Sequence, residues 1–139
     1  MVCNVKSVLM ALMCVLILPF LWGDVGKDAS SEVLKKFWNG WEKQVKAKKI
    51  TPEEYGRQFA KISSPAILPE MVKDLRADKS DDRFFSYVLV VINWDPNQSR
   101  DALNKIIRSE NQIDRTWAKD FLTELESYQE AKREGKKWR

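Results

Sequence analysis

Apolar residues in this chain recur at helical spacing in successive blocks, after an opening run that has no period at all. From about Ser31 to Lys49, Val33, Leu34, Phe37, Trp38, Trp41 and Val45 return at three- and four-residue steps, which predicts one amphipathic helix. Asp28–Ser31 offers capping residues ahead of it, and the cations of "KAKK" suit the negative end of its dipole. Gly40 inside this block costs about 1 kcal/mol of helix propensity relative to alanine. "ITPEEYGRQFAKI" restarts the pattern: Thr51 is an N-cap, Pro52 suits the first helical position, and Glu54 completes a capping box. Tyr55, Phe59 and Ile62 form the buried side of this second helix, which pairs with the first as a short-turned hairpin. "SSPAILPEMVKDLRAD" predicts a third helix that starts near Ala66, so that Pro69 falls in its first turn, and buries Leu68, Met71, Val72 and Leu75.

The segment "RFFSYVLVVINW" breaks the alternation, because its β-branched and aromatic residues favour a strand on propensity alone. The rest of the chain after the opening run has no second strand-like segment, and a lone strand would leave its ladder groups unpaired. Ser80, Asp81 and Asp82 form a helix start, and Asp95-Pro96 forms a stop. A helix that is apolar on nearly every side is a surrounded one, so Asp82–Trp94 is read as the central helix. A fifth helix follows, capped by Asn97 or Ser99, with Ala102, Leu103, Ile106 and Ile107 buried. A sixth is capped by Asp114 and carries the stripe Trp117, Phe121, Leu122, Leu125 and Tyr128. The fold class is therefore all-α, with about six antiparallel helices.

Residues 1–23 have a different plan. "MVCNVKS" carries Lys6, Val8–Trp22 is uncharged throughout, and Gly23-Asp24 opens a polar stretch. This is the layout of a secretory signal peptide, and an uncleaved membrane anchor is the alternative. Gly23 suits the position before a cleavage site, whereas Leu21 is a poor match two residues earlier. The organisation expected is thus a signal or anchor at 1–23, a helical domain at 24–131 and a basic tail at 132–139. The protein would be exported, periplasmic or secreted, or anchored facing outside the cytoplasm.

Composition narrows the chemistry. The 139 residues make room for one small domain, and a 44% hydrophobic fraction is enough to fold it. There is no histidine, which removes imidazole catalysis and imidazole metal sites. Both cysteines, Cys3 and Cys14, lie in the opening segment, so the remainder has no disulfide framework or thiolate metal site. No cofactor is implied. The acid pairs Glu53-Glu54, Asp81-Asp82 and Glu124/Glu126 sit at helix starts or on polar faces, where capping and solvation account for them. No phosphate loop or nucleophile elbow is present, and the chain is read as not an enzyme.

Two stretches align weakly. In "AILPEMVKDLRADKSDDRFFSYVLVVIN" and "DALNKIIRSENQIDRTWAKDFLTELE", Leu68, Met71 and Val72 match Leu103, Ile106 and Ile107, and Arg83 and Phe85 match Arg115 and Trp117. With Pro69 early in one helix and Asp81-Asp82-Arg83 before the next, this part of the chain resembles the shorter HEAT-like helical repeats over about residues 64–128. The break before Arg115 has one Asp rather than a run, and the hairpin at 31–63 does not match the unit, so an irregular helical bundle stands as the alternative architecture. The resemblance implies a scaffold.

The functional expectation is a protein–protein interaction module, either a scaffold or an inhibitor acting on its partner as immunity factors do. A membrane-associated structural protein is the alternative. Trp38, Trp41 and Trp117 lie on apolar stripes and are assigned to the core, whereas Trp94 is a candidate partner contact at the end of the central helix. Lys132, Arg133, Lys136, Lys137, Trp138 and Arg139 are candidate contacts to a partner or to an anionic membrane surface. The tail lacks an apolar period, so it is expected to be separable from the fold. No nucleic-acid partner is expected, because no basic stripe runs along the folded part. "NQS" at 97–99 is an N-glycosylation sequon, relevant only in a eukaryotic source.

Overall fold

The computed structural model describes residues 26–139, with side chains from residue 32 onward. The expected signal or anchor at 1–23 lies outside these residues. Six α-helices follow one another: α1 (Gly26–Gly40), α2 (Pro52–Lys61), α3 (Leu68–Ala77), α4 (Asp81–Val91), α5 (Pro96–Ile107) and α6 (Gln112–Arg133). A π-helical segment, Trp41–Lys46, extends α1, and a single 3₁₀ turn, Pro65–Ile67, precedes α3. Among the described residues there is no strand, and no helix is long and apolar enough to cross a membrane.

The helix starts are written in short polar residues. Thr51, Ser80, Asp95 and Asn111 each accept a hydrogen bond from a backbone N–H three residues on, at 3.0–3.3 Å. Asp95 and Pro96 were expected to stop one helix; they also open the next, as N-cap and first residue of α5. Asn111, not Asp114, caps α6. Ser64 caps the 3₁₀ turn, which places Pro69 in the first turn of α3, where a missing N–H is harmless.

The strand-like segment is the central helix. Ser86 to Val91 are buried without interruption. One face of α4 packs on α2 and another on α6, while α3 bridges α1 and α6. Gly56 of α2 lies directly against the α4 backbone: a Cβ there would fall 2.6 Å from the Leu89 carbonyl oxygen. A single core runs from Phe37 through Phe59, Leu68, Tyr87 and Leu103 to Phe121 and Leu125. Helix α4 ends at Val91, earlier than the sequence suggests, and Trp94 sits in the turn beyond it.

The π segment has a tertiary cause. The Tyr55 hydroxyl donates to the Phe37 carbonyl at 2.5 Å, taking the acceptor that Trp41 N–H would use in an α-helix. The Trp41 backbone instead hydrogen-bonds to the Tyr55 oxygen. A side chain is therefore inserted into the helical ladder, and the turn widens. A Cβ at Gly40 would sit 2.3 Å from that hydroxyl, so a larger residue there would have to displace the end of the Tyr55 ring.

Candidate functional site

Trp38, near the end of α1, and Trp41, the first residue of the π segment, are neighbours in space. Both are half-buried. Both rings pack on Phe37, with ring centroids 4.8 and 5.8 Å away. Both also line a cleft of about 550 Å³ between the π segment and the starts of α2 and α4.

A polar network braces this cleft from behind. Trp38 Nε1 donates to Tyr87 Oη at 2.9 Å, and Tyr87 Oη donates to Asp74 Oδ2 at 2.5 Å. Arg83 donates to the same carboxylate oxygen at 2.9 Å and pairs with Asp78 at 3.2 Å. Its guanidinium lies over the Trp38 ring, 4.3 Å from the centroid. One residue of α1, two of α4 and one of α3 are thereby tied together, with Asp78 of the α3–α4 turn as a fifth member. Burial, reinforced by the Asp74 hydrogen bond, pushes the Tyr87 phenol well above its usual range. A fully buried phenol of that kind keeps its proton at neutral pH, so its role is to donate a fixed hydrogen bond. Burial likewise pushes Tyr55 up to about 12, with the Trp41 backbone hydrogen bond opposing the shift. These groups hold a shape and do not exchange protons near neutrality. Among the described residues no group of three or more Cys, Asp or Glu is placed to hold a metal ion.

The structure divides the contacts expected from sequence. Trp94 is 6% exposed and donates to Ser63 Oγ at 3.2 Å, so it belongs to the core and offers no surface to a partner. Its place at the end of an apolar run suggested an edge, but the turn after Val91 carries the ring inward against Ser63. Lys132, Arg133, Lys136 and Lys137 are exposed around the end of α6. Gly135, at φ +67°, reverses the chain there. Lys136 N–H reaches the Ala131 carbonyl and Gly135 N–H reaches the Lys132 carbonyl, the bond pair of a Schellman motif. The last residues are thus turned back along α6. Trp138 is half-buried, stacked on Phe85 at 6.2 Å and edge-on to Tyr128 at 5.3 Å. Arg139 pairs with Glu124 at 2.6 Å and lies over Phe85. Phe85 also lines the tryptophan cleft, so the end of the chain borders it.

Sequence reasoning missed the Asp74–Arg83–Tyr87–Trp38 network. No pattern singles out Asp74, Arg83 enters only through the repeat that matches it to Arg115, and Tyr87 is one more member of an apolar run. The signal available was an arginine in the first turn of α4, nine residues after an aspartate in α3.

The chain matches no known family model, and no curated protein or solved structure is significantly similar to it.

Proposed function

We propose that this chain is a helical protein–protein interaction module, exported or tethered to a membrane, whose partner docks in the cleft beside Trp38 and Trp41. One observation carries the reading: two half-buried tryptophans edge an open cleft whose back wall is a closed hydrogen-bond network. Partly buried tryptophans are the side chains that most often dominate binding energy. A wall already locked has little conformational freedom left to lose on association. The polar groups behind the cleft are engaged with one another, which favours recognition over catalysis. Export rests on the plan of residues 1–23.

The finer likeness to HEAT-like repeats has partial support. In both units an arginine in the first turn of the second helix reaches back: Arg83 to Asp74, and Arg115 to the Ser109 and Glu110 carbonyls. The two units are also clasped by Arg76 on Asp114, with two bonds at 2.9 and 2.8 Å.

The test is a photo-crosslinking residue at position 42, in the cleft, against one at position 105 on α5, in cells of the source. Capture of a discrete partner at 42 only, abolished by Trp41→Ala, is the expected result. Equal capture at both positions, or none at 42, overturns the reading.

A second reading, association with an anionic membrane, is favoured by the four exposed cations clustered at the Gly135 reversal. At about 1 kcal/mol per cation near the surface they would give salt-sensitive binding to anionic vesicles. Replacing Lys132, Arg133, Lys136 and Lys137 by glutamine should abolish sedimentation with such vesicles; unchanged sedimentation excludes this reading.

A further inference from the structure

We infer that the tryptophan cleft receives a basic segment of its partner, with an arginine or lysine side chain seated on Trp41. The inference rests on the cleft being the docking surface and adds the chemistry of what docks there.

Three aromatic rings line the cleft, and its own chain shows how two of them are used. Arg83 lies over Trp38 while bonded to Asp74 and Asp78. Arg139 lies over Phe85 while bonded to Glu124. Twice, a guanidinium is held between an aromatic face and a carboxylate. Among the described residues no cation lies over the third ring, Trp41.

The charges around the cleft favour the same occupant. Its lining holds Glu42, Glu53, Asp78 and Asp82 against Lys46 and Arg83. Lys46 is paired with Glu42 at 2.7 Å, and Arg83 with Asp78. Glu53 and Asp82 have no ion-pair partner among the described residues. Both occupy first turns, of α2 and α4, where the positive end of the helix dipole favours them and offsets part of their charge. Two dipole ends amount to about +0.5 charge each, against two full negative charges, so the cleft stays about one charge negative. An acidic peptide would meet repulsion there, and an apolar one would leave both carboxylates beside it with nothing to pair. A guanidinium or ammonium meets a tryptophan face and two carboxylates together, the arrangement in which a cation–π contact is strengthened by partial desolvation.

The experiment titrates the intact protein with an amidated peptide of alternating glycine and arginine, with a glycine–glutamate peptide of equal length as control. The readout is the Trp41 indole resonance, assigned by its loss in Trp41→Phe. Saturable shifts with the arginine peptide alone are expected, weakening as salt is added. The Glu53→Gln/Asp82→Asn double variant should bind about fivefold more weakly, the effect of two partly screened ion pairs. Both changes are at exposed positions and nearly isosteric, so an unchanged melting curve certifies the fold. The inference falls if the glutamate peptide shifts the resonance equally, if the double variant binds unaltered, or if the arginine peptide produces no shift at low salt. Crosslinked capture at position 42 without arginine-peptide binding would keep the docking surface and discard the basic occupant. Peptide binding without crosslinked capture would keep the cation site and discard the docked protein.

Discussion

Gly56→Ala distinguishes a close helix crossing from an ordinary one by the sign of its effect. In an unencumbered helix interior the substitution stabilises, by about 1 kcal/mol. At position 56 the added Cβ would meet the Leu89 carbonyl oxygen at 2.6 Å and the Leu89 carbonyl carbon at 2.8 Å. Both are backbone atoms of the central helix and cannot rotate away. The carbonyl is also held in place by Asn93 Nδ2, which donates to it at 2.8 Å. Ordinary contact begins near 3.4 Å, so α2 and α4 must part by about 0.8 Å at this point. A gap of that size forfeits roughly a quarter to a half of the dispersion energy of the facing atoms. Overpacking costs roughly 1–3 kcal/mol, and a clash with backbone belongs at the upper end. Setting about 3 kcal/mol against about 1 kcal/mol of propensity leaves a net loss of about 2 kcal/mol. In a domain of this size that lowers the melting temperature by about 8 °C. Urea denaturation followed by circular dichroism measures it, with Lys73→Ala as an exposed control expected to stay within about 0.5 kcal/mol. A Gly56→Ala protein as stable as the parent, or more so, would refute the close crossing of α2 and α4.

Tyr55→Phe removes the hydroxyl between Phe37 C=O and Trp41 N–H; if both groups stay unpaired the loss is about 1–3 kcal/mol in chemical denaturation, and no loss would mean that the turn closes to an α-helix unaided. Trp138→Ala should cost about 1 kcal/mol through its contacts with Phe85 and Tyr128, so deletion of 136–139 should lower the melting temperature; an unchanged melt would return the tail to the separable status expected from its composition. Asp74→Asn should loosen the network, seen as loss of slow exchange at the Trp38 indole N–H, whereas an unaltered indole would show that Tyr87 alone fixes it. Tyr55 and Tyr87 both hold their protons more tightly in the folded state than the usual phenol value of about 10. The stability they confer is fully present below about pH 10 and is lost as pH rises through the folded values, because the unfolded chain ionises first. Absorbance from the Tyr55 and Tyr87 phenolates should therefore rise together with unfolding; ionisation of these two at about pH 10 with the fold intact would contradict their burial.

Helical spacing and capping residues determined the fold class and the order of the six helices, because both signals are local. Thr51, Ser80 and the Pro52 and Pro69 placements needed no knowledge of what lies across the core. Even the strand-like run of α4 was settled by its flanks and by the lack of a pairing segment. What sequence could not determine is every feature that joins residues far apart in the chain. Gly40 counted as a weak point until Tyr55 was found to occupy the space beside it. Trp94 counted as an edge residue until the turn after Val91 carried it to Ser63. The basic end counted as a tail because its composition has no apolar period, yet one left-handed glycine directs Trp138 to Phe85, 53 positions earlier in the chain. The tryptophan cleft is the extreme case: Trp38, Asp74, Arg83 and Tyr87 come from three helices, and no local pattern encodes which donor will meet which acceptor. Periodicity reports which face a residue turns inward; the partner it meets there is decided by helix packing.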